Sequence, residues 1–287
     1  MACCILPFLA ACGEDELAST PGDEPNYFAI PGDATDPESV IRRNFYEETG
    51  INLAFSDTLH KEQTGTDAQG RPVYHVETIN LSYTLTANDD YLYVLDYITD
   101  PDEMEYYAAA VKNILARIKN EHPYSILLVH SINRKEYDSY SDTWEDAYSD
   151  PWPVVVTSFD CMAIAMGNST SAGAEKEIGD NVVKYMLNKK LSDPDTDTKG
   201  FAAFSEEWYG ADFYETDPEV WHQQGFIQDL SDEWWYPYQD SDMEDFIDAM
   251  FASSRQELEE EWAGYERILG KFAWLYNFAE ANGYVIE

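Results

Sequence analysis

The sequence predicts an α+β fold in which a small sheet is followed by a mainly helical C-terminal half. Short β-branched and apolar runs are concentrated before residue 167, and longer segments with helical spacing follow from Ala174. The chain has 287 residues, of which 44% are hydrophobic and 15% aromatic. A chain of this length and composition can bury a substantial core, which excludes a disordered protein.

The first part of the predicted domain alternates helices and strands. Asp36 is placed to cap a helix that starts at Pro37 and ends at Gly50. Two strands, INLAF and VYHVETINLSY, follow this helix. A helix over 102–120 is predicted from tyrosine, alanine and isoleucine at helical spacing, and it precedes a buried strand, PYSILLVHSI, that stops at Asn133.

The second part is predicted to be mostly helical. PVVVTSFDCMAIAMG forms one strand or a strand pair, and the segment AEKEIGDNVVKYMLN, 174–188, forms a helix. The last helix has the clearest pattern, because apolar and aromatic residues step by four and three from Leu258 to Ala279. Asn282 and Gly283 then supply a stop.

The N-terminus resembles a bacterial lipoprotein signal. A short apolar run ends in Leu-Ala-Ala-Cys, so Cys12 is the predicted lipidation site. Residues 1–11 are therefore predicted to be a signal peptide, 12–35 an acidic tether, and 36–287 a single domain. The run lacks a preceding Lys or Arg, and the alternative is a buried N-terminal strand or helix.

The charge of the chain limits its partners. It contains 56 acidic and 17 basic residues, a formal charge of -39, which repels nucleic acid and anionic membrane surfaces. Nucleic-acid binding is therefore not expected. No segment after the N-terminus is apolar over the ~20 residues that span a bilayer, so membrane attachment is predicted through the lipid alone.

The pentapeptide KEIGD, 176–180, has the outline of a zinc-protease helix without its histidines. In H-E-x-x-H, residues four apart share a helix face, so two imidazoles bind zinc while the glutamate activates its water. Here Lys176 and Asp180 occupy the two ligand positions and Glu177 the position of the base. From the pentapeptide alone we favour a structural helix with a Lys176–Asp180 ion pair.

The arrangement of this helix predicts that it is packed on two sides. Ile178, Val182 and Tyr185 form one apolar stripe, at 100° per residue. A second group of residues lies on the opposite side: Lys176, Asp180, Val183 and Leu187. A helix that is apolar on two sides is expected to lie between layers.

The segments after this helix, GFAAFSEEWYG, EVWHQQGFIQ and DMEDFIDAMF, are followed by the long aromatic helix. This succession resembles the zinc-metallopeptidase-like lipoproteins encoded with starch-utilisation-type import systems of Bacteroidetes. Gly225 and Phe226 match the family's Gly-Phe step, and 244–246 match its E-D-F step. The resemblance covers roughly the last two-fifths of the chain and its N-terminus, and the middle matches only in general layout.

The resemblance implies a zincin-like scaffold, with the general base at Glu177, two ligand positions at Lys176 and Asp180, and an acidic cluster at Glu244 or Asp245. A protonated lysine cannot bind zinc, so the resemblance implies the scaffold without the reaction. Lys176 is expected to replace the charge of zinc by pairing with Asp180 or Glu244. No catalytic residue, zinc or other cofactor is then expected.

The predicted function is that of a catalytically inactive accessory or binding lipoprotein of a nutrient-import system. It would be lipid-anchored at the outer membrane, on the cell surface, with import-system proteins or a glycan or peptide as partners. The alternative is a metal-dependent hydrolase that uses non-standard ligands among Glu177, Asp180 and Glu244.

A second candidate surface lies in EWWYPYQD. Trp234, Trp235 and Tyr236 occupy a polar, proline-containing segment, and exposed rings beside carboxylates can stack on sugars or bind proteins. The alternative is that these rings fold back as a small satellite core.

Two further features carry less weight. DPDTDTKG lacks the glycine and the bidentate glutamate of a calcium loop, so a solvated acidic turn is predicted there, with weak calcium binding as the alternative. Cys161 lies in an apolar run and is predicted to be an inert core residue.

Overall fold

The computed structural model describes residues 25–82, 91–138, 140–146, 154–158, 161–167, 172–214 and 217–286. Within these ranges the chain is mixed α and β, with a six-stranded sheet, a two-stranded hairpin and eight helices. The α+β class is confirmed. The predicted signal peptide, Cys12 and the first part of the predicted tether lie outside the described residues. Within the described part, no helix is long and apolar enough to cross a membrane.

The helices and strands are numbered in chain order. The helices are α1 (Pro37–Thr49), α2 (Pro101–Ala116), α3 (Ala172–Leu191), α4 (Lys199–Ala202), α5 (Pro218–Gln223), α6 (Gln239–Ala252), α7 (Arg255–Glu261) and α8 (Glu266–Ala281). The strands are β1 (Asn52–Ala54), β2 (Thr58–Thr66), β3 (Pro72–Thr78), β4 (Tyr91–Tyr97), β5 (Ser125–Asp138), β6 (Thr143–Asp146), β7 (Val155–Thr157) and β8 (Cys161–Ala165).

Helix α1 begins and ends where its sequence signals predict. The Asp36 side chain accepts a hydrogen bond from the Ser39 backbone N–H, and Pro37 occupies the first turn. Gly50 adopts the left-handed conformation at φ 73° and donates its N–H to the Tyr46 carbonyl. Because these contacts lie within a few residues of each other, the local sequence is enough to predict them.

Strand β5 organises the large sheet. It pairs in parallel with β1 on one side and β8 on the other, and β7 adds an antiparallel edge beside β8. In the described parts of PVVVTSFDCMAIAMG, 154–158 and 161–167, the chain therefore forms a strand pair. The predicted end of β5 at Asn133 is wrong, because its second half continues to Asp138 between the antiparallel strands β4 and β6.

Residues on β5 alternate between two cores. Ile126 and Leu128 belong to the main cluster, which the helices cover, whereas Leu127 and Val129 belong to a second cluster on the opposite face. Phe28 also belongs to the second cluster. All four β5 side chains are fully buried, so β5 lies between layers of the domain.

The packed body begins before the predicted boundary at residue 36. Phe28 is only 9% exposed, and its ring meets the ring of Tyr124 at an edge. The Arg43 side chain of α1 donates hydrogen bonds to the carbonyl groups of Pro31, Gly32 and Ala34. Residues 28–34, which the sequence assigned to a tether, are therefore held against the folded domain.

The predicted long final helix is wrong. The chain forms α7 and α8 with a turn between them, where Gly264 has φ 99°, in the left-handed region that favours glycine. The apolar spacing continues across the turn because Leu258 of α7 and Ile268 of α8 are buried in the same cluster. The predicted stop is confirmed, since Gly283 has φ 83° and donates its N–H to the Glu280 carbonyl.

Candidate functional site

Helix α3 carries the KEIGD segment and is buried on more than one side, as its pattern predicts. It packs against α2, α6 and the edge strand β7. Ile178 and Val182 on one side, and Val183 and Leu187 on the other, are buried in the main cluster. The Tyr185 hydroxyl lies 2.7 Å from the Thr157 hydroxyl of β7, which ties the helix to the sheet edge.

Asp180 is held by two cations. Arg117 donates from Nη2 to Oδ1 at 2.7 Å, and Lys176 donates from Nζ to Oδ2 at 2.8 Å. The predicted Lys176–Asp180 pair is thus formed. Arg117 follows the last residue of α2 and also donates from Nε to the Val285 carbonyl. This Arg117–Asp180–Lys176 cluster joins α2, α3 and the C-terminal segment.

The glycine of KEIGD gives Arg117 its space. A Cβ at Gly179 would lie 2.9 Å from Nη1 of Arg117 and 3.4 Å from Cγ1 of Ile114. A side chain at this position would therefore displace the guanidinium group from Asp180. Residues 178–180 are explained by helix packing, since Ile178 enters the core, Gly179 admits Arg117 and Asp180 binds it.

The other predicted site residues do not converge on Asp180. Glu177 and Glu244 are exposed, and Asp245 is partly buried on α6. Helices α6 and α3 are bridged by Asp248 and Lys184, whose Oδ1 and Nζ are 2.5 Å apart. Within the described ranges, no group of three or more His, Cys, Asp or Glu side chains is arranged to hold a metal ion. The residues at the KEIGD position do not fit a zinc ion, because both oxygens of Asp180 already bind cations.

Burial and charge act on Asp245. Burial, followed by repulsion from Asp242, Asp248 and Glu244, raises the pKa of Asp245 from 3.8 to about 6. All four carboxyl groups lie on α6. This concentration of negative charge on one helix destabilises the folded state at neutral pH.

The acidic turn at 193–199 uses its carboxylates locally. Asp193 accepts a hydrogen bond from the Asp195 backbone N–H, and Asp197 accepts one from the Lys199 N–H. These side chains therefore stabilise the turn itself. Cys161, as predicted, is a buried residue of β8 in the second cluster.

Sequence reasoning missed a buried ion pair between α8 and α6. Lys271 is completely buried, and its Nζ donates to Oδ2 of Asp242 at 2.6 Å and to the Gly225 carbonyl at 2.7 Å. The Tyr209 hydroxyl donates to the same Asp242 oxygen at 2.7 Å. A detectable signal was present, because Lys271 occupies the apolar stripe of α8, three residues after the buried Ile268.

Burial dominates the electrostatics of this pair. It lowers the pKa of Lys271 to about 8 and raises the pKa of Asp242, in each case against the attraction of the partner. Four aromatic rings surround Nζ with centroids 4.6–5.5 Å away, and they belong to Phe201, Tyr209, Phe226 and Phe246. The pair is an internal anchor of the fold rather than an accessible reactive group.

The EWWYPYQD segment divides its rings between a small core and the surface. Tyr236 is only 5% exposed, and its ring lies 4.8 Å from that of Phe213. The expectation that Tyr236 lies on the binding surface is therefore wrong. It belongs to a satellite cluster of five buried side chains, Phe213, Trp221, Phe226, Leu230 and Tyr236.

The neighbouring tryptophans remain on the surface. Trp234 is 71% exposed and Trp235 is 54% exposed. The backbone around them is ordered by an antiparallel bridge between Trp235 and Asp212 and by a 2.8 Å hydrogen bond from the Phe213 N–H to the Trp234 carbonyl. Tyr214 on the opposing segment is also exposed. We call these three residues, Tyr214, Trp234 and Trp235, the aromatic surface.

No protein-family model, curated protein or solved structure matches this chain. The family resemblance drawn from its motifs therefore stays a prediction.

Replacing Lys271 tests the internal anchor. Lys271→Met leaves Asp242 buried without its cation, and we expect it to lower the free energy of unfolding by about 3–5 kcal/mol. The double variant Lys271→Met, Asp242→Asn should recover much of this loss, because no buried charge is left unpaired. Urea denaturation followed by circular dichroism measures both values. Equal losses in the single and double variants would contradict this account.

Asp245 predicts a pH-dependent contribution to stability. Because its folded pKa of about 6 exceeds its unfolded value of 3.8, the folded state binds more protons between these values, and stability falls as pH rises through them. Asp245→Asn should therefore stabilise the protein at pH 7 by about 1 kcal/mol after solvent screening. Urea titrations should show the gain disappearing near pH 4.

Glu244→Gln is the matched control for Asp245→Asn. It removes one negative charge from the same helix, but the Glu244 side chain is exposed. We expect a smaller change with a weaker dependence on pH. An Asp245→Asn effect that is constant from pH 4 to pH 7 would show that the charge is not its cause.

Proposed function

We propose that this chain is a catalytically inactive, metallopeptidase-like lipoprotein that acts as a glycan-binding accessory component of a nutrient-import system. The observation that carries the binding role is the aromatic surface, with two tryptophans more than half exposed. Large exposed rings on a soluble body are typical of recognition surfaces. Anchoring through lipidated Cys12 at the outer membrane belongs to the same proposal.

The support beneath the aromatic surface favours ligand binding. The satellite cluster and the backbone hydrogen bonds hold the segment that bears Trp234 and Trp235, so its backbone needs little ordering when a ligand binds. Asp212 pairs with Trp235 in the backbone and adds a carboxylate that can accept hydrogen bonds from hydroxyl groups. Rings beside carboxylates suit sugars, which have apolar C–H faces edged by hydroxyl groups.

The charge of the chain favours a neutral glycan over an acidic one. With a formal charge of -39, the protein repels uronate or sulfate groups, whereas a neutral polysaccharide experiences no such repulsion. The proposed ligand is therefore an uncharged polysaccharide.

The inactive, zincin-like character is supported by helix α3. This helix follows the sheet directly and packs between β7, α2 and α6, as expected for the helix that would carry a zinc site. At the two ligand positions, Lys176 and Asp180 bind each other, and Arg117 takes the remaining oxygen of Asp180. We propose that this ion cluster replaces the metal as the link between α3 and its neighbours.

Affinity electrophoresis tests glycan binding. Gels that contain neutral polysaccharides should retard the wild-type protein, and Trp234→Ala, Trp235→Ala should lose most of the retardation because the stacking rings are removed. Trp144→Ala is the matched control, since Trp144 is an exposed tryptophan on β6. If the double variant migrates like the wild type in every gel, the aromatic surface is not a glycan site.

Metal analysis tests the inactive scaffold. After incubation with zinc and desalting, plasma mass spectrometry should find far less than one zinc per chain, because Asp180 is already neutralised by two cations. Near-stoichiometric zinc that is lost in Asp180→Asn would overturn the proposal. It would favour the hydrolase alternative, with hydrolysis expected to depend on Glu177.

A further inference from the structure

A cavity of about 360 Å³ lies between α7 and α8, apart from the aromatic surface. Its volume is within the range of small-molecule sites. Leu258 and Phe272 are buried residues of its wall, and Leu269 and Ala273 are partly buried. An apolar group of a ligand could therefore be buried against these side chains.

One positive and one negative side chain line the same cavity. Arg255 Nε donates to Oε1 of Glu259 at 2.9 Å, and the two side chains are 57% and 59% exposed. An ion pair this exposed contributes little to stability, so a ligand can open it at small cost. Within the described residues, no other hydrogen bond to the Arg255 guanidinium is formed, which leaves its two terminal nitrogens available.

Tyr276 forms the boundary between this cavity and a second one. The Arg255 guanidinium lies over its ring, 4.8 Å from the centroid. The second cavity, of about 280 Å³, shares Arg255 and Tyr276 and is also lined by Lys119 and Glu280. The charged end of a bound ligand therefore has room beside Arg255 while its apolar end occupies the first cavity.

Charge decides the ligand class. A simple carboxylate would suit Arg255, but it would meet Glu259 and the repulsion of a chain with net charge -39. A simple amine would meet Arg255. A zwitterion carries no net charge and presents an anion and a cation together, which complements the pair that lines the cavity.

We propose that the α7–α8 cavity binds a free apolar α-amino acid of the size of leucine or phenylalanine. The carboxylate is held by the terminal nitrogens of Arg255, in the paired geometry that guanidinium groups favour. The ammonium group is held by Glu259, and the side chain fills the space between Leu258, Leu269 and Phe272. A peptide is a poorer fit because its chain separates the two charges. The site is independent of the proposed glycan surface.

Isothermal titration calorimetry with the full-length protein tests the ligand class. L-Phenylalanine should bind with a dissociation constant of about 10⁻⁵–10⁻³ M, as expected for a ligand of this size. N-acetyl-L-phenylalanine lacks the ammonium group and L-phenylalaninamide lacks the carboxylate, so each should bind about fivefold more weakly or worse. The proposal is overturned if L-phenylalanine does not bind, or if both derivatives bind equally well.

Variants of the lining residues locate the binding site. Arg255→Gln and Glu259→Gln should each weaken L-phenylalanine binding about fivefold, and Ala273→Leu, which fills the cavity, should abolish it. Arg71→Gln is the matched control, because Arg71 is also an exposed arginine paired with a carboxylate four residues away, Asp67, in the β2–β3 hairpin. Circular dichroism verifies folding. Binding that survives Ala273→Leu, or that falls equally in Arg71→Gln, would overturn the assignment.

Discussion

The buried Lys271–Asp242 pair is the interaction on which the C-terminal half depends. Lys271 of α8 donates hydrogen bonds to Asp242 of α6 and to the Gly225 carbonyl. The Tyr209 hydroxyl donates a further hydrogen bond to Asp242. A cation inside an apolar core is tolerated only where its hydrogen bonds are made, so the pair admits one relative placement of these segments. The loop at Gly225 has no room for a side chain, because a Cβ would lie 2.7 Å from the Ser205 hydroxyl.

This placement links the core to the candidate binding surfaces. Phe226, next to the carbonyl that receives the Lys271 bond, is part of the satellite cluster beneath the aromatic surface. The same helix α8 supplies Phe272 to the main core and Ala273 and Tyr276 to the α7–α8 cavity. Helix α8 therefore helps to position both the aromatic surface and the α7–α8 cavity, although their proposed ligands differ.

The likeness of KEIGD to a zinc helix has a physical explanation in the Arg117–Asp180–Lys176 cluster. Arg117 lies over Gly179 and binds Asp180, so the glycine and the aspartate serve one helix contact. The chain has only 17 basic residues, and three of them, Arg117, Lys176 and Lys271, form ion pairs that join helices or stabilise them. This leaves the surface strongly acidic, and it disfavours anionic ligands.

The sequence by itself determined the features that arise from contacts within a few residues. These include the caps of α1 at Asp36 and Gly50, the helical character of α3 and the Lys176–Asp180 pair. Only the tertiary structure decided the full length of β5, the burial of Tyr236, the approach of Arg117 to Gly179 and the Lys271–Asp242 pair. Each of these depends on contacts with another segment of the chain, and local periodicity and propensity carry no information about which segment supplies the partner.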